Sequence, residues 1–162
     1  MEQPAYMELN FRPNVQLVSV VRRFVSEFYE RVLGDAEGVS RVALATHELL
    51  ENAVKYSIDG ATTVRIECTI HHNEPVPVTV RLTNRAEPHH IEALRAILAG
   101  LDEAPDPFTF YQTLIAKTAR RRDGSGLGLA RISAEADMRL RCRVEGDALV
   151  LEGTTVIREA AR

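Results

Sequence analysis

The order of hydrophobic and polar positions predicts a strand and then two long helices in the first third of the chain. Residues 6–11 alternate weakly, which is typical of a short edge strand. Apolar side chains then recur every three or four positions as far as Leu33, so we expect a long helix. Pro13 is predicted to be its first residue, because proline suits the first turn, and Gly34 is predicted to end it.

The second predicted helix, residues 42–57, is the stretch around which the rest of the chain is arranged. It contains no glycine or proline, and it follows Asp35, a residue type that favours the N-terminal cap of a helix. A turn signal at residues 57–60 closes it. Its apolar residues fall on one arc of a helical projection, led by Val42, Ala45, Leu49, Ala53 and Tyr56.

A polar stripe runs along the same helix. Glu48, Asn52 and Lys55 fall at positions i, i+4 and i+7, so their side chains lie on one face. A carboxylate, an amide and an ammonium group in a row can hold a hydrated magnesium ion and phosphates, because magnesium takes oxygen ligands and keeps several waters. Glu48 could then orient or deprotonate an attacking hydroxyl. The alternative is an ordinary amphipathic helix whose polar face is merely solvated.

Period-two alternation in the middle and at the end of the chain predicts two β-hairpins. In the first, apolar residues alternate with polar ones over 64–70 and 76–82, and residues 72–75 connect the strands. In the second, residues 138–144 and 148–157 flank a Glu-Gly-Asp turn. One apolar and one polar face on each strand indicates a sheet that is covered on a single side.

Helical spacing returns between the hairpins. Pro88 opens a helix that Gly100 is expected to close, and Asp106 is expected to cap another. A glycine-rich segment at residues 124–129 then leads into a further helix. The whole pattern predicts an α+β fold, a two-layer sandwich in which helices cover one face of a mixed, mainly antiparallel sheet.

Length, charge and cysteine content restrict the number of domains and the classes of partner to expect. A chain of 162 residues suits one domain, 1–162. Its net charge of −3 gives no reason to expect nucleic acid or an anionic membrane as a partner. The two cysteines make neither a disulfide framework nor a metal site. The chain begins without a secretory leader pattern and has no apolar run long enough to span a bilayer, so we expect a cytoplasmic protein.

The segment Gly-Ser-Gly-Leu-Gly-Leu at residues 124–129 stands where a loop enters a helix. Glycines let the backbone approach phosphate oxygens, and the N–H groups at a helix start attract anions. No Gly-Lys-Ser/Thr follows, so the segment is not a P-loop, and its place late in the chain does not fit a dinucleotide-binding unit. Taken alone, it would also suit a flexible connector.

The helix with Glu48 and Asn52 and the late Gly-x-Gly-Leu-Gly-Leu loop are separated by two strands and a helical insert. Together they resemble the ATP-binding fold of the GHKL superfamily, which includes gyrase, MutL and the ATP domains of histidine kinases. With its length and two long N-terminal helices, the chain resembles in particular the stand-alone anti-sigma-factor serine kinases of bacterial partner-switching systems and SiaB-like proteins. The resemblance covers nearly the whole chain.

The resemblance implies a role for each matching residue. Glu48 matches the general base of the family's first motif, Asn52 its magnesium ligand, and Lys55 a basic position near the phosphates. The glycine box around the triphosphate is matched by Gly124, Gly126, Leu127 and Gly128. Residues 101–123 match the ATP lid, and ATP and Mg2+ are the implied cofactors.

The chain departs from the family pattern after the first hairpin. The family carries an Asp-x-Gly-x-Gly box there, whose aspartate receives the adenine amino group, whereas residues 83–88 read Thr-Asn-Arg-Ala-Glu-Pro. Asn84 keeps a carbonyl oxygen that could accept the same hydrogen bond, but it carries no charge. Both glycines are missing, so the backbone cannot approach the base as closely. Arg85 could either occlude the base pocket or contact a phosphate.

Two functions follow from the resemblance. In the first, the protein binds Mg-ATP and phosphorylates a serine or threonine of a small antagonist protein, with Glu48 activating the hydroxyl and Asn52 holding magnesium. In the second, the nucleotide site has decayed, and the fold sequesters a protein partner, an antagonist or a sigma factor, without catalysis. A detached ATP domain of a histidine kinase fits less well, because no helical hairpin with a phospho-acceptor histidine accompanies it. The resemblance leaves homodimerisation open.

Overall fold

The computed structural model describes residues 3–71, 74–120 and 126–158. Over these ranges the chain forms five strands and five helices. The strands are β1 (Gln3–Phe11), β2 (Ser57–Ile70), β3 (Val76–Ala86), β4 (Arg139–Glu145) and β5 (Ala148–Ile157). The helices are α1 (Val15–Leu33), α2 (Ala36–Tyr56), α3 (Pro88–Glu103), α4 (Pro107–Thr118) and α5 (Leu127–Glu135). None of the helices in this described part of the chain is long and apolar enough to cross a membrane.

The strands form one sheet in the order β1-β2-β3-β5-β4, and each neighbouring pair is antiparallel. The predicted α+β fold is therefore confirmed, with antiparallel pairing at every junction of the described sheet. Both predicted hairpins are present, as β2-β3 and β4-β5. Alternate residues of β3, from Val76 to Ala86, are buried beneath the helices, because successive side chains of a strand point to opposite faces.

Helix α1 begins two residues later than the sequence predicted. Asn14 is its N-terminal cap, and the Asn14 side chain accepts a hydrogen bond from the backbone N–H of Leu17 at 2.9 Å. Pro13 therefore precedes the helix and is not its first residue. The asparagine side chain satisfies a backbone N–H of the first turn, which favours a helix start directly after Asn14. Gly34 ends the helix in the left-handed conformation, as predicted.

Tyr29 anchors α1 to the sheet. Its side chain is fully buried, and its hydroxyl donates a hydrogen bond to the backbone oxygen of Ile66 in β2 at 2.9 Å. Burial raises the pKa of Tyr29, since the ionised form would lie in an apolar environment. This contact fixes the helix over the β1-β2 side of the sheet.

Helix α2 covers the predicted stretch but begins at Ala36, six residues before the predicted start at Val42, and it ends at Tyr56. The Asp35 side chain accepts hydrogen bonds from the first turn, and Leu49 and Ala53 are completely buried. The chain then passes directly into β2 at Ser57, whereas a turn was expected over residues 57–60. The turn signal marks an irregular start of the strand, with a register shift before Thr62 and a left-handed Gly60.

The helical insert consists of α3 and α4. Helix α3 runs three residues beyond Gly100, the predicted end, and Gly100 instead packs against the ring of Phe110 in α4. Asp106 caps α4 as predicted, accepting from the N–H of Thr109 at 2.8 Å. The predicted ATP lid, residues 101–123, spans the end of α3 and all of α4, and its last three residues lie outside the described residues. Its role as a lid stays a prediction.

The uncovered face of the sheet carries ion pairs that cross all five strands. Successive nitrogen–oxygen distances range from 2.6 to 3.6 Å. Their members are Glu8, Arg65, Glu67, Arg81, Glu152, Arg143 and Glu145. Each of these charged side chains has a partner of opposite charge on the same face, and the candidate chemistry lies on the helical side.

Candidate functional site

A cleft lies between α2 and the start of α5, with the first turn of α1 contributing to its wall. Its volume is about 290 Å³, at the small end for a ligand site. Glu48, Asn52 and Lys55 line it from α2, and Gly126 and Gly128 line it from the start of α5. Two polar features that are far apart in the sequence therefore share a single cavity.

Glu48 is held at its carboxylate. Only 10% of its side chain is exposed, and its Oε1 accepts a hydrogen bond from Nη1 of Arg131 at 2.9 Å. Arg131 also donates from Nε to Oε2 of Glu135 at 2.8 Å. The hydrogen bond to Glu135 is the main cause that raises the pKa of Arg131, and Glu48 adds to it. Arg131 thus ties the carboxylate on α2 to helix α5.

Arg131 is a residue that the sequence patterns did not single out. It follows Gly128 by three positions, so both lie on the face of α5 that turns towards α2. That spacing, an arginine one turn after the glycine box, is the signal in the sequence that could have identified it.

Gly128 approaches Glu48 so closely that only glycine fits without movement. A β-carbon at residue 128 would lie 2.6 Å from Oε2 of Glu48. Gly126 has a φ of 88° and precedes α5 as its cap, a conformation that favours glycine. A β-carbon there would also meet Cδ1 of Ile97 at 2.5 Å. Helix α5 therefore starts at the cleft with two residues that carry no side chain, and its first N–H groups can attract an anion.

The remaining polar residues of α2 surround the same cavity. Asn52 and Glu51 both line the cleft, and the Glu51 carboxylate lies 3.2 Å from Nε2 of His47. The ammonium nitrogen of Lys55 is 5.1 Å from the ring centre of Tyr56, another lining residue. Carboxylate, amide and ammonium groups thus follow one another along the wall, as the helical spacing predicted.

Asn84 lies apart from this cavity. It is 4% exposed, and its Nδ2 donates to the backbone oxygen of Arg85 at 3.1 Å. Its Oδ1 is buried and has no hydrogen-bond partner within the described ranges. Asn84 lines a separate hollow at the end of the sheet together with Arg12 and Asp59. The structure therefore does not bring Asn84 onto the wall formed by Glu48 and Asn52.

Arg85 makes two ion pairs away from the cleft. Its Nη1 lies 3.4 Å from Asp59, and its Nε lies 2.9 Å from Asp147. Neighbouring residues of a strand point to opposite faces, so Arg85 and Asn84 point away from each other. Arg85 neither occludes the cleft nor lines it.

The ring of Tyr56 contacts the ring of His90 in α3. Their ring centres are 3.3 Å apart, and Tyr56 is a lining residue. Burial lowers the pKa of His90, and the nearby His89 and Lys55 lower it further. Two other predicted site residues remain: Leu127 is half-buried at the first position of α5, and Gly124 lies outside the described residues.

The oxygen-rich wall of the cleft fits magnesium that is carried by a nucleotide. Within residues 3–71, 74–120 and 126–158, no cluster of three or more His, Cys, Asp or Glu side chains could hold a metal by itself. Magnesium keeps several waters and is usually bound through one or two protein oxygens plus substrate phosphates. The amide of Asn52 lines the same cleft as Gly128, and its oxygen suits that kind of coordination.

Comparisons with known proteins identify the family and support the fold. The sequence family described as Histidine kinase-like ATPase domain matches residues 11–153. A similar solved structure is that of the SiaB-SiaC complex from Pseudomonas aeruginosa, with a TM-score of 0.62 and 16% sequence identity. The match covers 93% of this chain and 89% of that one. At this identity the likeness concerns the fold alone. No curated protein sequence matches significantly.

Proposed function

Because the chain belongs to the histidine kinase-like ATPase domain family, we propose that it binds Mg-ATP in the cleft between α2 and α5 and phosphorylates a partner protein. The acceptor is a serine or threonine hydroxyl of a small antagonist protein. The observation that carries this proposal is the shared cavity: Glu48 and Asn52 line the same cleft as Gly126 and Gly128.

Glu48 is the proposed general base. Its carboxylate is mostly withdrawn from solvent and lies against Gly128, at the start of the helix that would receive the phosphates. From that position it can accept the proton of the attacking hydroxyl while it orients the oxygen towards the γ-phosphate. No other carboxylate of the cleft is held between α2 and α5 within the described residues; Glu51 is half-exposed and pairs with His47.

Asn52, Lys55 and the glycine segment are proposed to bind the triphosphate. The backbone N–H groups at the start of α5 attract its negative charge, and Lys55 adds a positive charge from the opposite wall. Gly124, Gly126, Leu127 and Gly128 form the proposed loop around the phosphates. Magnesium, held through Asn52, supplies charge neutralisation during the transfer.

Asn84 is the proposed contact for the adenine amino group. Its buried Oδ1 lacks a donor among the described residues, and an unpaired buried acceptor is costly unless a ligand satisfies it. Asn84 lies outside the cleft that Glu48 and Asn52 line, so the protein must rearrange before one nucleotide can contact all three residues. The proposed lid, residues 101–123, begins at the end of α3, the helix that also carries His90.

The partner is proposed to be a protein in a bacterial partner-switching pathway, either an antagonist or a sigma factor. The similar structure from Pseudomonas aeruginosa is a complex of two different proteins, SiaB and SiaC, which supports a protein rather than a small-molecule acceptor. Homodimerisation is compatible with the proposal but is not required by it. A cytoplasmic location follows from the proposed partner.

The test is a transfer assay with radiolabelled γ-phosphate on small proteins encoded beside this chain. The wild type is expected to label one of them on serine or threonine, as phosphoamino-acid analysis would show. Glu48→Gln is expected to lower the rate by about 100-fold or more, which is the usual contribution of a general base, while ATP affinity changes less than about threefold. Equal rates for both proteins would refute the role of Glu48.

A second candidate function is favoured by the position of Asn84 outside the cleft and by the Tyr56–His90 contact. In this alternative the nucleotide site has decayed, and the protein sequesters its partner without catalysis. Pull-down of the partner in the complete absence of nucleotide, with no heat on titration of Mg-ATP, would leave only this alternative.

A further inference from the structure

We propose that Arg131 is a positioning residue for Glu48: its guanidinium holds one carboxylate oxygen so that the other faces the glycine segment. The inference rests on the proposed function, because it gives Glu48 the role of base. Arg131 does not line the cleft, so it acts through Glu48 and not on the nucleotide.

The two oxygens of Glu48 have different surroundings. Oε1 accepts from Nη1 of Arg131 at 2.9 Å, so one lone pair of that oxygen is occupied. Oε2 is the oxygen nearest to residue 128, where an added β-carbon would stand 2.6 Å from it. Oε2 is therefore the oxygen presented to the start of α5, and it is the one that can accept a proton from a hydroxyl placed there.

Arg131 is itself held in place. Its Nε donates to Glu135 at 2.8 Å, one turn further along the same helix. With both arms engaged, the guanidinium has a fixed orientation, and an oriented fork defines the direction of a carboxylate better than a point charge does. Glu48 has three rotatable side-chain bonds, so without this contact its carboxylate would sample several positions in the cleft.

The contact also couples two elements that must act together. Glu48 belongs to α2, whereas Arg131 belongs to the helix that starts at the glycine segment. Any shift of α5 on phosphate binding is carried to the carboxylate through Arg131. The same helix then positions both the base and the phosphates. This keeps the attacking hydroxyl aligned with the γ-phosphate, and transfer rates depend strongly on that alignment.

Arg131→Gln tests the inference by separating rate from binding. The kcat for phosphoryl transfer is expected to fall by about 10-fold to 100-fold, as for other residues that orient a reactive group, while the ATP dissociation constant changes less than about threefold. Arg131→Lys keeps the charge but loses the fork, so it should recover only part of the rate. An unchanged kcat in Arg131→Gln overturns the inference.

The matched control is Arg81→Gln on the open face of the sheet. Arg81 also bridges two glutamates, Glu67 and Glu152, and its exposure is similar. Arg81 does not line the cleft, so the kcat and the ATP affinity of the Arg81→Gln variant should equal those of the wild type. A loss of rate in Arg81→Gln as large as that in Arg131→Gln would mean that general destabilisation explains both, and it would overturn the inference.

A double-mutant cycle supplies a readout that needs no catalysis. Urea midpoints of Glu48→Gln, Arg131→Gln and the double variant are measured on the free protein, and non-additive shifts are expected because the residues are in contact. Additive shifts overturn the inference and leave the proposed function standing. In contrast, a wild type that transfers no phosphoryl group although the shifts are non-additive refutes the proposed function, and with it the catalytic consequence assigned to Arg131.

Discussion

Gly128 lies directly against the carboxylate of Glu48, so closely that a β-carbon at residue 128 would stand 2.6 Å from Oε2. Glu48 comes from a helix early in the chain, and Gly128 comes from the glycine segment near its end. Their contact brings α2 and the glycine segment together at the cleft, and the proposed chemistry depends on that proximity. It also gives the glycine a defined task, which is to leave room for the carboxylate.

Gly128→Ala is the first prediction. The new methyl group must displace the Glu48 carboxylate, which is restrained by Arg131, and a displacement of about 1 Å can cost about 100-fold in rate. We expect phosphoryl transfer to fall by that order, with a small decrease in the urea midpoint. Transfer at the wild-type rate would show that the position of this carboxylate does not matter.

The Glu48→Ala background provides the control for this variant. It removes the side chain with which the methyl group collides, so Gly128→Ala should no longer lower the urea midpoint and can even raise it, because alanine favours a helix over glycine. If Gly128→Ala destabilises both backgrounds equally, the contact with Glu48 is not the cause.

Asn84→Leu is the second prediction, and it separates a role in binding from a role in folding. Leucine is similar in size to asparagine. The substitution removes the hydrogen bond from Asn84 to the backbone oxygen of Arg85, and it also removes the buried Oδ1 that has no described partner. Loss of one hydrogen bond costs about 1 kcal/mol, and removal of the unpaired buried oxygen offsets that cost. We expect the urea midpoint to stay near the wild-type value, and ATP affinity to fall by about 10-fold, the worth of one hydrogen bond.

Thr62→Val is the matched control for Asn84→Leu. Thr62 is buried and pairs with Asn84 across β2 and β3, but its hydroxyl already donates to the oxygen of Gly60. Its loss should affect stability and leave ATP affinity unchanged. Should Asn84→Leu bind ATP as the wild type does, Asn84 is not the adenine contact.

The third prediction concerns pH and His90. Burial, with His89 and Lys55, lowers the pKa of His90 in the folded protein, so the unfolded chain binds more protons near the ordinary histidine pKa of about 6.5. Stability from this group is therefore present above that pH and is lost as pH falls through it. The urea midpoint should decrease from about pH 7.5 to about pH 5.5, and less so in His90→Gln.

His89→Gln is the comparison for this experiment, because His89 is exposed and belongs to the same turn of α3. It should retain most of the pH dependence of the wild type. Parallel midpoint curves for the wild type and His90→Gln would show that the lowered pKa of His90 does not cause the pH dependence of stability.

Local sequence patterns predicted the helices and strands because the start and end of each one depend mainly on residues a few positions away. The caps at Asp35 and Asp106 and the end of α1 at Gly34 follow from hydrogen bonds within a few positions. Pro13 was misplaced because two residue types competed for the same helix start, and the asparagine cap prevailed. A local pattern also failed at residues 57–60, where pairing with β3 draws a turn-like segment into a strand.

The site was predictable only as far as the resemblance reached. Helical spacing put Glu48 and Asn52 on one face, and the resemblance brought the glycine segment to them. The hydrogen bond from Arg131 depends on how α5 packs on α2, and no periodicity contains that information. The separation of Asn84 from the cleft likewise depends on how the strands and helices pack, which no local pattern contains.

Calorimetric titration of Mg-ATP onto the wild type and Asn52→Ala tests the central claim most directly. The claim is that the cleft lined by α2 and the start of α5 binds a magnesium nucleotide through Asn52. The wild type should bind one equivalent, and affinity should fall by about 10-fold or more both in Asn52→Ala and on removal of magnesium. A folded wild type that gives no heat at millimolar Mg-ATP, or an Asn52→Ala variant that binds equally well, would contradict it.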